Sequence, residues 1–302
     1  MEKENISKLP NLSKNPNKFF LLVLLIGILI GVFFIYEKTD DFEEPIFLSP
    51  TYPEDFFVSK WNTSLTSSSF SSDFNQIKLP LIESGDYDFT VDWGDGSKDY
   101  ITSWNQEETT HTYSESGEYI IQINGTINGW GFRGLGDKEK ILEILNWGNL
   151  GFSSSSFVVF SGCKNLKISA NDILDVSLET SLKSFFGYSG ISEVPNINQW
   201  NVSRIMSLDS MFRNTSFNQP LDNWDVSNVR DLSHIFESTS FNQPLNSWNV
   251  SNVQDMALVF KESNFNQPLN SWNVSNVKNM EGMFMNTLFN QPLNSWKVSN
   301  VE

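Results

Sequence analysis

Three rhythms of apolar and polar positions follow one another along this chain. From Phe19 to Tyr36 every residue is apolar or glycine, FFLLVLLIGILIGVFFIY. From 56 to 128, short apolar and aromatic clusters alternate with Ser, Gly, Asn and Asp; the clusters are Phe56–Val58, Ile77–Leu79, Tyr87–Trp93 and Tyr119–Ile123. That spacing predicts short strands and a small β-sandwich. From about 200 onward the apolar positions return every 24 residues.

The third rhythm is the most regular. Phe-Asn-Gln-Pro-Leu begins at Phe217, Phe241, Phe265 and Phe289, and Trp-x-Val-Ser-Asn-Val at Trp224, Trp248, Trp272 and Trp296, with a looser copy at Trp200. Fifteen of 24 positions are identical between Trp248–Ser271 and Trp272–Ser295. A fixed period in this range predicts a solenoid, whose repeats bury their apolar sides only against their neighbours. In the unit from Trp224, apolar residues fall at Val226, Val229, Leu232, Ile235 and Phe236. From Val229 this is the i, i+3, i+6, i+7 stripe of a short helix, with Asn228 as N-cap and Asp231 in the first turn. Pro244 limits Ser240–Leu245 to a short strand. The expected coil therefore carries one short strand and one short helix, and parallel strands from successive coils line one face of an α/β solenoid. Residues 129–199 read as degenerate, capping units, and 200–302 as the solenoid proper. The chain stops at Glu302, seven residues into a new unit, which leaves the last coil open.

The first rhythm predicts a membrane anchor. Eighteen uncharged residues come close to spanning the hydrocarbon core. Lys3, Lys8, Lys14 and Lys18 precede the run, and Asp40, Asp41, Glu43 and Glu44 follow it. The lysine excess places residues 1–18 in the cytoplasm, a transmembrane helix at 19–36, and everything after it outside the cell. A cleaved signal peptide is the rival reading, but Phe33–Lys38 offers no small-residue cleavage site. Residues 37–55, with Pro45, Pro50 and Pro53, suit an extended linker.

Within 56–128, the strand Phe89–Trp93 runs into Gly94-Asp95-Gly96-Ser97; His111-Thr112-Tyr113 and then Gly117–Ile123 follow. This order of motifs resembles the polycystic-kidney-disease (PKD) type domain, which implies an extracellular immunoglobulin-like sandwich acting as a spacer or adhesive module.

Composition narrows the chemistry. With 36 acidic and 20 basic residues the formal charge is −16, so nucleic acid is not an expected partner. The single cysteine, Cys163, excludes an intramolecular disulfide and reads as a small buried hydrophobe. Asp92 and Asp95 flank a glycine turn, near Asp86, Asp88 and Asp99. Such carboxylates can ligate Ca²⁺, but Asp in Asp-Gly turns more often caps its own backbone, so no metal or cofactor is assigned. His111 reads as a structural hydrogen-bonding partner of the turn. No catalytic residue is assigned: Asp225, Asp231 and Asp255 sit where a repeat scaffold places its acids. The repeated Trp and Asn read as scaffold, the Trp filling one core gap per coil and the Asn satisfying backbone in adjacent turns. Positions that vary between units, Arg230, Gln254 and Lys278, and Glu237, Lys261 and Met285, are the candidates for partner contact.

The phrase Trp248-Asn-Val-Ser-Asn-Val-x-x-Met256-x-x-x-Phe260, followed by Phe265-Asn-Gln-Pro-Leu, resembles the BspA-like leucine-rich-repeat surface proteins of bacteria and mycoplasmas. The resemblance implies a non-enzymatic cell-surface protein that binds or adheres to a protein or glycan. The alternative is a structural layer in which solenoids pack without a specific ligand.

Overall fold

A computed structural model of the chain describes residues 51–66, 70–152 and 158–302. The apolar run 19–36 lies outside them, and no helix among the described residues is long and apolar enough to cross a membrane. The expected transmembrane helix at 19–36 thus falls outside the described residues, and the single-pass placement at a cell surface that depends on it is not supported: no described helix supplies a membrane span.

The strands begin where the apolar clusters fall. β1 is Phe57–Asn62, β2 Gln76–Lys78, β3 Leu81–Asp92, β4 Lys98–Ile101, β5 Thr110–Thr112 and β6 Glu118–Trp130. β7 (Ile141–Asn146), β8 (Leu150–Gly151) and β9 (Lys167–Ile168) continue the series past the expected boundary. The expected sandwich needs two comparable sheets, but the strands form one seven-stranded sheet, ordered β4-β3-β6-β1-β7-β9, with β8 also on β6, plus a two-stranded β2–β5 pair. The reason lies in β6. Its first half pairs with β1 through Phe57↔Ile123 to Asn62↔Glu118, while its second half pairs with β8 on Ile127 and Asn128. β3 runs along it as well, from Leu81↔Trp130 to Asp92↔Gln122. One long strand thus gathers its neighbours into a single layer. Alternation follows the pleat: Ile121, Ile123 and Ile127 are buried, whereas Asn124 and Thr126 face solvent.

The repeats contain no α-helix. In the unit from Trp224, all five predicted apolar positions are buried, but the backbone between Asp231 and Ser238 is a string of overlapping turns. Alternate N–H groups leave the coil. Leu232 donates to the carbonyl of Asp255 at 3.0 Å, His234 to Ala257 at 2.9 Å, Phe236 to Val259 at 3.1 Å and Ser238 to Lys261 at 2.8 Å. Those between them stay inside, Ile235 donating to Leu232 and Glu237 to His234. An α-helix would keep every such donor in its own coil. This arrangement also needs left-handed backbone, at His234 (φ 57°) and Ser238 (φ 54°), and again at Ser210 and Asn214, Leu258 and Glu262, Gly282 and Asn286. Asn228 caps no helix; its Nδ2 donates to the Ser203 carbonyl of the preceding coil at 2.7 Å.

The expected strand is absent too. From Ser181 onward, parallel pairing is limited to single bridges, Ser181–Ser207–Asp231–Asp255–Asn279. At the Phe-Asn-Gln-Pro-Leu segment the bonding passes through side chains: Asn242 N–H donates to Asn218 Oδ1 at 2.9 Å, and Asn266 N–H to Asn242 Oδ1 at 2.9 Å. The α/β solenoid of leucine-rich-repeat type is thus replaced by stacked coils without α-helix, Ile197–Gln199 alone forming a single 3-10 turn among the described coils. Aromatic columns fill them. Trp224, Trp248 and Trp272 stack with near-parallel rings 6.4 and 6.5 Å apart, and Phe236 packs on Phe241 at 3.8 Å. Burying a side chain of this size contributes roughly 1.5–3 kcal/mol.

Sheet and coils share one hydrophobic core, and 54–302 form one compact unit. The inter-coil bonding starts at Val158, whose N–H donates to Lys183, followed by Phe160 to Phe185 and Gly162 to Gly187. Phe160 also meets Phe132 at 6.4 Å and Trp147 at 5.9 Å, joining the two regions. Cys163 lies in this junction, fully buried, and burial pushes its thiol pKa up.

Candidate functional site

The coil stack sorts its side chains by column. Constant residues are used internally. Trp248 Nε1 donates to the Leu221 carbonyl at 2.9 Å and Trp272 Nε1 to Leu245 at 2.9 Å, and both rings are buried. A ring so enclosed cannot stack on a soluble ligand.

Arg230, Gln254 and Lys278 form one exposed column. Each backbone N–H donates to the carbonyl one coil back, Arg230 to Met206, Gln254 to Arg230 and Lys278 to Gln254, all at 2.8 Å. The backbone thereby fixes the step between side chains, while the three side chains themselves make no hydrogen bond or ion pair with the described residues. Two cations separated by an amide stand in line on a protein of net charge −16.

Glu237, Lys261 and Met285 form a second column, which Arg213 begins. Here Glu237 is only 3% exposed. Its carboxylate accepts from His234 Nδ1 at 2.5 Å, from Arg213 Nε at 2.9 Å and from Lys261 Nζ at 2.9 Å. Burial opposes its charge, but the hydrogen bonds from His234 and Lys261 and the Arg213 charge hold its pKa below the usual range. Glu237 is thus an internal tie across three coils and has no oxygen to spare for a partner. Arg213 also lies over the Tyr188 ring, 5.4 Å from its centroid. Met285 is 45% exposed. No hydrogen bond or ion pair joins the two columns. Counting back 24 residues from Glu237 reaches Arg213, so that member was legible; His234 was not, because its contact depends on a left-handed backbone.

Two acids of the sheet region, Asp92 and Asp95, cap turns. Asp92 Oδ1 accepts from Gly94 N–H at 3.0 Å, and Asp95 Oδ1 from Ser97 N–H at 2.9 Å. His111 Nε2 lies 2.8 Å from Asp95 Oδ2 and 3.4 Å from Ser97 Oγ, with its ring stacked on Trp93 at 4.8 Å. Serine and aspartate therefore share one ring nitrogen. A nucleophilic relay needs them on opposite nitrogens. Lys140 and Asp137 are fully enclosed. Lys140 Nζ donates to the carbonyls of Ser72, Asp73 and Gln76 within 3.0 Å, and Asp137 accepts from Ser71, Ser72 and Lys78. This network fastens the loop before β2 to the sheet. Among the described residues, no group of three or more His, Cys, Asp or Glu is arranged to hold a metal ion.

Residues 157–264, 180–287 and 237–302 match the family described as "Mycoplasma protein of unknown function, DUF285". The chain is similar to that family across its coil stack. No curated protein and no solved structure matches the chain.

Proposed function

We propose that this chain is a non-catalytic binding protein whose coil stack holds an extended, acidic segment of a protein partner. The observation that carries this reading is the column of Arg230, Gln254 and Lys278, exposed, unpaired and set at a fixed step by the backbone. A ligand lying along the stack meets one such side chain per coil. Two cations favour carboxylates on that ligand, and the amide between them supplies both a donor and an acceptor. The resemblance of the repeat phrase to BspA-like proteins supports a binding role, and the shared ring nitrogen at His111 supports the absence of a serine-type relay.

The test is retention of an acidic peptide library, and of acidic proteins, on the immobilised intact chain. Arg230→Ala, Gln254→Ala and Lys278→Ala combined should abolish retention without shifting the thermal midpoint, and retention on the unaltered chain should weaken as salt rises. Retention that survives the triple substitution would sink the proposal.

A further inference from the structure

A groove of about 520 Å³ opens on the outer face of β3, β6 and β8. Tyr87, Phe89 and Val91 on β3 and Ile123 and Ile127 on β6 point inward and are buried, so the alternate residues point out. Register sets Asp88 opposite Thr126 and Asp86 opposite Asn128, and β4 brings Tyr100 opposite Thr90. Asp88, Thr126, Asn128 and Asn149 line the groove, with Gly125 and Gly151 in it. Gly125 has φ +125°, and a Cβ there would lie 2.3 Å from the Asp88 carbonyl oxygen, so only glycine fits.

An outer sheet face is ordinarily polar because water covers it. This one differs in what its polar groups do. The side chains of Thr126, Asn128 and Asn149 make no hydrogen bond with the described residues. Asp88 accepts from the Tyr100 hydroxyl through one oxygen, which orients the carboxylate and leaves the other free. The Tyr100 residue is 60% exposed. One shallow groove therefore gathers an oriented carboxylate, two free amides and a hydroxyl, and the exposed Tyr100 adjoins it through its bond to Asp88.

Adjacent hydroxyls of a sugar each donate and accept, and they match a carboxylate and amides held side by side. The apolar C–H face of a sugar ring matches the face of Tyr100. No cation lines the groove, and Asp88 repels anions. We propose that this groove binds a neutral saccharide through adjacent hydroxyls, independently of the coil-stack column.

Saturation-transfer NMR on the intact chain tests this with lactose, cellobiose, maltose and N,N′-diacetylchitobiose, each in turn. Transfer to at least one disaccharide is expected, with roughly millimolar affinity for so open a site. Asp88→Ala and Asn149→Ala should each weaken it about tenfold or more, as loss of a hydrogen bond in a binding groove does. Both positions are exposed, so the thermal midpoint should hold. The triple coil-stack variant should bind sugar normally, which separates failure here from failure there. No transfer to any of the four sugars, transfer undiminished by both substitutions, or a response only to an uncharged peptide would overturn the proposal.

Discussion

His111 and Asp95, 16 residues apart, show how a single contact organises the sheet region. The imidazole lies on Trp93 and edge-on to Tyr113, and its Nε2 reaches the turn carboxylate. Partial burial works against the charged Asp95, but hydrogen bonds from Ser97 and His111 outweigh it and hold the pKa at about 2. Unfolded aspartate titrates near about 4. The folded value is the lower one, so this carboxylate stabilises the fold above about pH 4, and its contribution disappears as pH falls toward 2. Thermal midpoints measured from pH 5 to pH 2 should fall less steeply in Asp95→Asn than in the natural chain; equal slopes would contradict this role. His111→Ala should cost about 1–3 kcal/mol at neutral pH, read by denaturant unfolding.

Within the coil, the decisive element is the string of overlapping turns. It needs two left-handed residues per coil, and the side chains found there are not all suited to that backbone. Gly282 (φ +56°) occupies the position filled by Leu258 (φ 58°) one coil earlier. A Cβ on Gly282 would lie 2.6 Å from Leu258 Cδ2. Gly282→Val should therefore destabilise by about 1–3 kcal/mol, since a branched side chain strains a left-handed backbone. Leu258→Gly removes strain at its own position but also removes packing, so its cost should be smaller than that of the valine. Urea titration of both variants checks the order, and a tolerated valine would show that the turns readily change conformation. The same geometry predicts circular dichroism of the described region without a helical signature.

For the molecule as a whole, what matters is continuity. Trp130, Phe132, Trp147, Phe160, Phe185 and Trp200 link the sheet to the first coils in one core. Sheet and stack should therefore unfold in a single transition. Scanning calorimetry alongside tryptophan fluorescence checks this, because Trp61 and Trp93 report on the sheet while Trp248 and Trp272 report on the stack. Two separated midpoints would show that the junction does not couple them. The exposed Arg230 column and the groove beside Asp88 lie on different parts of this unit, one on the coils and one on the sheet, so binding at each should survive the loss of the other.

Periodicity by itself determined which residues the coils bury. Val226, Val229, Leu232, Ile235 and Phe236 are inside because an apolar side chain recurring every 24 residues has only its own copies to pack against. It also separated constant letters from variable ones, and so pointed to Arg230, Gln254 and Lys278. It did not determine the backbone. The i, i+3, i+6, i+7 stripe fits a helix as well as a string of turns, and the choice between them rests on where alternate N–H groups find acceptors. Those acceptors are carbonyls of the next coil, about 23 residues along the chain, beyond the reach of local pattern. Stacking likewise decided that Glu237 is buried among Arg213, His234 and Lys261, and strand pairing and the turn before β8 decided that Asp88, Thr126, Asn128 and Asn149 meet in one groove. Local pattern carries burial because burial depends on side-chain type, whereas hydrogen-bond partners and convergent sites depend on residues that only the tertiary structure brings together.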